Sequence, residues 1–356
     1  MINSNANRPQ DNRFVIGLDV HKNKWSVTIR ALNMELKTFS MEPSPAALAK
    51  HLRKNYPKGE YYSVYEAGFC GFWIHRELCD LGICNVVVNP ADVPTSDKER
   101  DKKTDPRDSR KLARELQNGS LEPLYVPGLE DEHLRTLCRA RRKCRQQCCR
   151  VMQRIRSLLA FGGEDAPDET AWSGAFIQEL ERQHSGDRAD HSVMRFFIAE
   201  LKEHRQRHAQ IIRELRRFLR ASKHAETIRL LMTVPGIGFV SAATFVTEVI
   251  DVNRFSKVDH LYSMIGLVPS TDSRGDRAGV KGLSRRKNGY LPKHLIFEAA
   301  WTAVRKDPEL LACYAALLTR MPPCRAIVRI AKKLVNRIRF VWKNQQPYQT
   351  ANAAAC

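Results

Sequence analysis

The sequence contains no apolar run that approaches the roughly 20 residues needed to cross a bilayer. Its first thirteen residues, MINSNANRPQDNR, are polar and lack the apolar centre of a secretory signal. The ten cysteines include no pair of CxxC motifs, so their spacing does not favour a zinc site. These absences predict reduced thiols and a bacterial-type cytoplasmic location, without membrane association.

Acidic residues are scarce relative to basic ones. The chain has 59 Lys and Arg against 39 Asp and Glu, a formal net charge of +20. Basic side chains that neutralise the phosphates of a nucleic acid release its counterions, and this release favours binding. An excess of basic residues of this size therefore indicates a polyanionic partner and predicts a nucleoid-associated location. A basic ribosomal or membrane-surface protein has the same kind of excess. Charge alone therefore indicates nucleic acid without defining the function.

The N-terminal third has the pattern of an α/β domain. Apolar and β-branched runs predict strands at residues 14–20, 25–32, 34–41, 61–66 and 84–89. Helices are predicted at residues 44–55 and 72–82, and a third from about residue 104 to residue 119. The order β-β-β-α-β-α-β-α, three antiparallel-type strands followed by crossover units, predicts an RNase H-like fold.

Two long helices are predicted next, at residues 130–160 and 175–225. The second has an apolar and histidine stripe at helical spacing, which packs against the first helix of the same chain or against another subunit. The first is strongly basic. Within residues 133–160 there is no acid, and the basic residues are Arg135, Arg139, Arg141, Arg142, Lys143, Arg145, Arg150, Arg154 and Arg156.

Four carboxylates fall where the predicted topology gathers side chains. Asp19 and Glu66 end the first and fourth strands, and Asp105 and Asp108 begin the helix after the fifth strand. Carboxylate oxygens are the ligands that Mg²⁺ prefers, and two such ions support phosphoryl transfer. The four acids are therefore predicted to bind Mg²⁺ (or Mn²⁺) and to be catalytic. The alternative for Asp105 and Asp108 is a structural one, as a cap and a dipole partner of a helix N-terminus.

Three acidic blocks, IGLDVHK, YEAG and KTDPRDSRKLA, resemble those of DEDD-type insertion-sequence transposases, the IS110/IS1111 family, which includes Piv-type DNA invertases. The C-terminal segments TVPGIGFVSAATFVTEV and FSKVDHLYSMIGLVPSTDSRGDR agree with this resemblance. It implies a RuvC-like catalytic domain, a coiled-coil linker and a mainly α-helical C-terminal transposase domain. It also implies an RNA-guided serine recombinase, in which a non-coding bridge RNA pairs with donor and target DNA and a serine attacks a phosphodiester, aided by Mg²⁺.

The glycine-rich segment 266–289 is the candidate position for that serine. Family members have the serine just before a glycine, whereas Arg274 precedes Gly275 in this chain. Ser273 is the nearest serine and is preferred to Ser270 on that ground alone, with Ser284 a third candidate. The alternative is a polar loop whose arginines bind phosphate and take no part in chemistry. The candidate nucleic-acid contacts are Lys22, Arg139, Arg142, Lys143, Arg274, Arg277, Lys281, Arg285, Arg286, Lys287 and Arg337.

We expect a tail at residues 1–13, a catalytic domain at 14–125, a helical linker and oligomerisation region at 126–225, a transposase domain at 226–346 and a tail at 347–356. The motif TVPGIG is either a phosphate-binding helix-hairpin-helix turn or an ordinary turn between helices. The predicted function is transposition by a dimer that assembles into a tetramer on double-stranded DNA. The alternatives are a RuvC-like metal-dependent nuclease and a non-catalytic nucleic-acid scaffold.

Overall fold

The computed structural model describes residues 12–94, 104–165, 172–274, 277–283, 291 and 293–349. The chain forms two compact units, residues 1–126 and residues 127–356. Within the described residues, no helix combines the length and the apolar character that crossing a membrane requires.

The first unit is a mixed α/β domain, and its elements follow the predicted order. Its five-stranded sheet has the order β3-β2-β1-β4-β5. Strand β1 pairs antiparallel with β2 and parallel with β4, so the sheet changes from antiparallel to parallel at β1. The elements are β1 (Arg13–Val20), β2 (Trp25–Ala31), β3 (Met34–Met41), α1 (Pro45–Asn55), β4 (Glu60–Glu66), α2 (Trp73–Asp80), β5 (Cys84–Val88) and α3 (Asp105–Asn118).

Helices cover both faces of this sheet. Ile16 and Leu18 belong to one apolar cluster with Leu48 of α1 and Leu78 of α2. On the other face, Val64 of β4 and Val88 of β5 pack with Leu112 of α3. Side chains along a strand alternate between the two faces of a sheet, so Gly17 and Asp19 lie on the face opposite to Ile16 and Leu18, where α3 packs. This alternation directs Asp19 towards the helix that carries Asp105.

The second unit is mainly helical. Its strands form a two-stranded antiparallel sheet. The elements are α4 (Leu129–Phe161), α5 (Gly174–Gln183), α6 (Ala189–Ala221), α7 (Ala225–Leu231), α8 (Phe239–Val249), α9 (Val258–Ile265), β6 (Pro269–Arg274), β7 (Arg277–Leu283), α10 (Lys293–Lys306), α11 (Pro308–Leu318) and α12 (Pro323–Asn344).

Helices α4 and α6 pack along each other within one chain. Each has 33 residues, which is about 50 Å of helix. The Sγ atom of Cys144 lies 3.3 Å from the carbonyl oxygen of His204, and Arg154 lies 2.7 Å from Glu200, so the two helices run antiparallel. The prediction of one helix over residues 175–225 was wrong, because α5 ends at Gln183 and α6 begins at Ala189. Of the predicted stripe, Leu201 and Leu215 are buried in this intrachain contact.

The start of α4 and the end of α6 share one core with the C-terminal helices. Leu134 of α4 and Leu219 of α6 are buried in the same cluster as α8, α10 and α12. Helix α12 contributes an apolar stripe to this core: Ile327, Ile330, Leu334, Ile338 and Val341 are all buried. Residues 126–225 and 226–346 therefore do not form separate cores.

The TVPGIG turn joins α7 to α8 and is packed into this core. Val234 and Ile237 are buried. Gly236 has φ +85°, and a Cβ there would lie 2.1 Å from the carbonyl oxygen of Ala299 in α10. A side chain at this position would therefore collide with backbone. Close helix packing accounts for this glycine without a phosphate ligand.

Candidate active site

A glycine and a set of hydroxyls hold α3 against the sheet. A Cβ on Gly17 would lie 2.0 Å from the carbonyl oxygen of Ser109 and 2.5 Å from the backbone nitrogen of Ala113, so β1 and α3 touch backbone to backbone. The buried Ser109 hydroxyl also lies 3.2 Å from that of Ser26 and 2.9 Å from that of Thr28, within hydrogen-bond distance of both. The N-terminal turn of α3, which carries two acids, is thereby fixed beside the end of β1.

Asp19, His21 and Asp105 form a compact group at this end of the sheet. One ligand atom from each residue lies within 4.8 Å of the others, an arrangement able to hold a metal ion. The Nε2 atom of His21 lies 3.2 Å from Oδ2 of Asp19 and 3.6 Å from Oδ1 of Asp105. Lys24 approaches the other oxygen of Asp105 at 3.4 Å. The structure thus brings together two of the four predicted acids and adds two basic side chains.

The charge of Asp19 is poorly compensated. Burial, followed by the nearby carboxylates of Asp105 and Asp108, raises the pKa of Asp19 above its usual value, although His21 opposes the shift. Its Oδ2 atom is buried, and no described residue forms a well-directed hydrogen bond with it. A buried oxygen surrounded by other carboxylates favours a bound cation. These residues therefore fit a hard divalent metal ion such as Mg²⁺, whose preferred ligands are carboxylate oxygens.

Glu66 and Asp108 occupy neighbouring positions. The parallel register pairs Leu18 with Tyr65, so Asp19 and Glu66 are the next residues along adjacent strands, which lie about 4.8 Å apart. Asp108 is close enough to Asp19 to raise its pKa. Asp105 is the first residue of α3, and the cap position belongs to Thr104. The interpretation of Asp105 as a helix cap was therefore wrong.

His21 and Lys24 were missed as site residues from the sequence. His21 is two residues beyond Asp19, and the two-residue period of an extended chain directs both towards the same face. The D-x-H spacing in IGLDVHK was therefore the signal that placed an imidazole beside the acid. Lys24 lies in the turn before β2, where no pattern indicates its partner.

Two of the three serine candidates, Ser270 and Ser273, lie on the first strand of a β-hairpin of the second unit. Segment 266–289, for which a polar loop was the alternative prediction, contains β6 and β7. Ser273 pairs with Ala278, one residue before the last pair, Arg274 with Arg277. Ser270 falls in the register shift between Pro269 and Thr271. Ser284 lies outside the described residues.

The predicted nucleic-acid contacts have different surroundings. Arg139 donates to both carboxylate oxygens of the buried Glu248, at 2.7 and 2.8 Å. Arg337 is bound to Asp307, Glu309 and Tyr348 within the second unit. These two guanidinium groups are engaged in intramolecular contacts, so we remove both from the candidate contacts.

Lys22 and Lys143 are exposed, and Arg142 is half-buried. The backbone of Arg274, Arg277 and Lys281 lies in the hairpin. Arg285, Arg286 and Lys287 lie outside the described residues.

Two regions of the chain match transposase families. Residues 16–162 match the DEDD transposase family of IS110 elements, and residues 228–315 match a family described as Transposase IS116/IS110/IS902 family. The first match spans all four acids and the second spans the hairpin of Ser273. The DEDD family is not a serine recombinase family, so that class name was wrong for this chain.

Individual relatives agree with these matches. The chain is 29% identical over 291 residues to y4qE of Sinorhizobium fredii, a protein that carries a transposase name, and this covers 81% of the chain and 71% of the relative. It is 24% identical over 298 residues to the transposase for insertion sequence element IS1111A of Coxiella burnetii, covering 80% of the chain and 79% of the relative.

Proposed function

We propose that this chain, a transposase of the IS110/IS116 family, cuts and rejoins DNA with a divalent metal bound by Asp19, Glu66, Asp105 and Asp108. The observation that carries the proposal is the group formed by Asp19, His21 and Asp105, whose ligand atoms lie within 4.8 Å of one another. A Mg²⁺ ion bound there supplies positive charge to the phosphoryl oxygens that react. The proposed domain is of the RNase H-like type, supported by the strand order β3-β2-β1-β4-β5.

The protein groups have separate tasks in this proposal. The half-buried position of Asp19 fixes where its carboxylate points, and a bound divalent cation would stabilise its charged form against the burial and the neighbouring acids that raise its pKa. Ser109, through Ser26 and Thr28, holds α3 so that Asp105 keeps its position relative to Asp19. His21, between two carboxylates, orients both of them.

Ser273 is the proposed nucleophile, because it is the serine that most closely precedes Gly275 in the glycine-rich segment 266–289. Its hydroxyl oxygen forms a bond to phosphorus, the bond from phosphorus to the leaving sugar oxygen breaks, and the serine proton ends on that oxygen. The number of phosphoester bonds is unchanged. The step is therefore reversible, and rejoining requires no nucleotide cofactor.

A denaturing gel tests both parts of the proposal. Wild type, Asp19→Asn, Ser273→Ala and Ser270→Ala are each incubated with Mg²⁺ and labelled donor and target DNA, with RNA co-expressed. We expect a covalent protein–DNA adduct that disappears with Asp19→Asn and Ser273→Ala and persists with Ser270→Ala. If Asp19→Asn retains full cutting, the metal proposal is wrong.

A second candidate function is a metal-dependent nuclease in which water attacks the phosphodiester. It is favoured by one observation: the first unit assembles its acidic group from β1, the following turn and α3, all within residues 1–126. Cutting by Ser273→Ala without any adduct would support this candidate and exclude the serine nucleophile.

We also propose a guide RNA and an oligomer. The RNA rests on the family resemblance and on the net charge of +20. The oligomer rests on the need for more than one active site when two duplexes exchange strands. Phe161 and Phe196 are 91% and 74% exposed, as expected of a contact with another subunit. Ribonuclease treatment should abolish strand transfer, and unchanged transfer would remove the guide RNA from the proposal. Light scattering should give a mass above that of one chain, and the mass of a single chain would remove the oligomer.

A further inference from the structure

The second unit contains a strongly basic cavity of about 560 Å³ between α4, α8 and α10. Its lining includes several arginines of α4 and a single carboxylate among the described lining residues, that of Glu248. The arginines are Arg139, Arg141, Arg142, Arg145 and Arg150. We name this cavity the arginine groove.

The one acid does not neutralise the groove. Glu248 is only 3% exposed and accepts two hydrogen bonds from Arg139, at 2.7 and 2.8 Å. Arg135 approaches the same carboxylate at 3.8 Å. Two arginines therefore already share this acid, and the described lining offers no second carboxylate to the other arginines of the groove.

Three side chains in or beside the groove have lowered pKa values, mainly because they are buried and in part because arginines lie near them. Burial, with Arg142 and Arg145 nearby, lowers the pKa of Arg141. Burial, and then Arg142, lower the pKa of His294 in the groove wall. The pKa of His208 on α6 is lowered by burial and then by Arg141 and Arg145. Glu298 opposes the shift at His294 in part, and the pKa of His294 remains lowered.

Arg141 also has an unused donor. Its Nε atom is buried and has no hydrogen-bond partner among the described residues. A buried donor without an acceptor is costly, and a guanidinium is well suited to bind phosphate oxygens. The groove thus combines an excess of arginines over carboxylates with one arginine whose buried Nε–H lacks an acceptor among the described residues.

We propose that the arginine groove binds the phosphodiester backbone of a nucleic acid, with Arg141, Arg145 and Arg150 as its phosphate donors. Along α4 these residues span about 13 Å, and one strand of a duplex has a charge about every 3.4 Å of its axis. The groove therefore has the length of about four phosphates. The choice of nucleic acid as the anion rests on the proposed function. Duplex DNA and single-stranded RNA share this backbone chemistry, and the experiment separates them.

The test compares two triple variants of the full-length protein that lose the same charge. One is Arg141→Gln/Arg145→Gln/Arg150→Gln. The control is Arg182→Gln/Arg188→Gln/Arg207→Gln, which changes exposed arginines of the same unit that are paired with carboxylates. Fluorescence anisotropy measures Kd for duplex DNA, single-stranded RNA and a poly-glutamate peptide over a range of salt concentrations. Thermal unfolding checks that each variant is folded.

For the true ligand, we expect the slope of log Kd against log salt concentration to fall by about 2 to 3, since each phosphate contact contributes about 0.9 for duplex and about 0.7 for single strands. The control should keep the wild-type slope. Should the triple variant unfold, Arg145→Gln/Arg150→Gln changes only exposed residues and should lower the slope by about 1.4 to 1.8.

Wild-type slopes for both nucleic acids would overturn the proposal. Loss of poly-glutamate binding alone would also overturn it and identify an acidic protein segment as the occupant. The proposed function is tested separately by Asp19→Asn, which should bind both nucleic acids normally and fail to cut. If the groove variant keeps the wild-type salt slopes and Asp19→Asn fails to cut, the groove proposal is wrong and the proposed function is retained.

Discussion

Replacing Gly17 with alanine should damage both the stability and the activity of the first unit. The added Cβ would lie 2.0 Å from the carbonyl oxygen of Ser109 and 2.5 Å from the nitrogen of Ala113. Both atoms are backbone, so no rotamer change relieves the collision. To restore an ordinary contact, α3 must move away from β1 by at least about 1 Å.

The size of the effect follows from this displacement. Overpacking costs about 1–3 kcal/mol, and weakened hydrogen bonds from Ser109 to Ser26 and Thr28 add about 1 kcal/mol. For a unit of this size, a loss of about 3 kcal/mol lowers Tm by roughly 10 °C. Because α3 carries Asp105 and Asp108, a shift of about 1 Å should also reduce the cutting rate by about 100-fold.

The assay pairs thermal unfolding with cutting of labelled DNA under Mg²⁺. Gly174→Ala is the control, since a Cβ there meets nothing within 4 Å. We expect Gly17→Ala to lose stability and activity and Gly174→Ala to lose neither. If Gly17→Ala keeps Tm within about 2 °C of wild type and cuts at the wild-type rate, the backbone contact does not position α3 and the argument fails.

Further predictions concern the buried charges and the metal. Glu248→Gln should lower the free energy of unfolding by about 3–5 kcal/mol in denaturant titration, because two arginines lose their buried acid; a loss below about 1 kcal/mol would contradict this. Although burial opposes it, hydrogen bonds from Lys223 and His224 lower the pKa of Asp131. The charged Asp131 therefore stabilises the fold fully above its unfolded pKa, which is about 3.9, and this stabilisation is lost as pH falls through the lower folded pKa. Asp131→Asn should flatten the fall in stability at acid pH. Parallel curves of stability against pH for the variant and wild type would refute this. Mg²⁺ should raise the Tm of wild type and not that of Asp105→Asn, and equal shifts would remove Asp105 from the metal site.

Local patterns were sufficient to predict the elements of the first unit. The alternation in FVIGLDV predicted β1, and Ser44 before Pro45 predicted the start of α1, where the Ser44 hydroxyl accepts from Ala47 at 3.2 Å. Gly119 ends α3 in the left-handed conformation that favours glycine. Such signals depend on neighbours within a few residues, so the sequence alone contains them.

The same kind of pattern was insufficient for the helical region. The helical spacing of apolar residues continued past residue 183, although the helix ends there and α6 begins only at Ala189. The stripe on α6 fitted a partner helix of the same or another chain equally well. Only the tertiary structure decided for the intrachain pair, because the choice depends on α4, which precedes α6 by about 60 residues, as in the contact between Cys144 and His204.

For the candidate site, the sequence by itself determined which acids end strands or begin a helix, because strand period and helix-start signals are local. Only the tertiary structure decided that His21 lies between Asp19 and Asp105. It also separated two arginines of α4 that line the same groove: Arg139 is paired with Glu248, 109 residues away, whereas the Nε of Arg141 has no hydrogen-bond partner among the described residues. Burial and charge pairing depend on residues far apart in the chain, and no local pattern contains them.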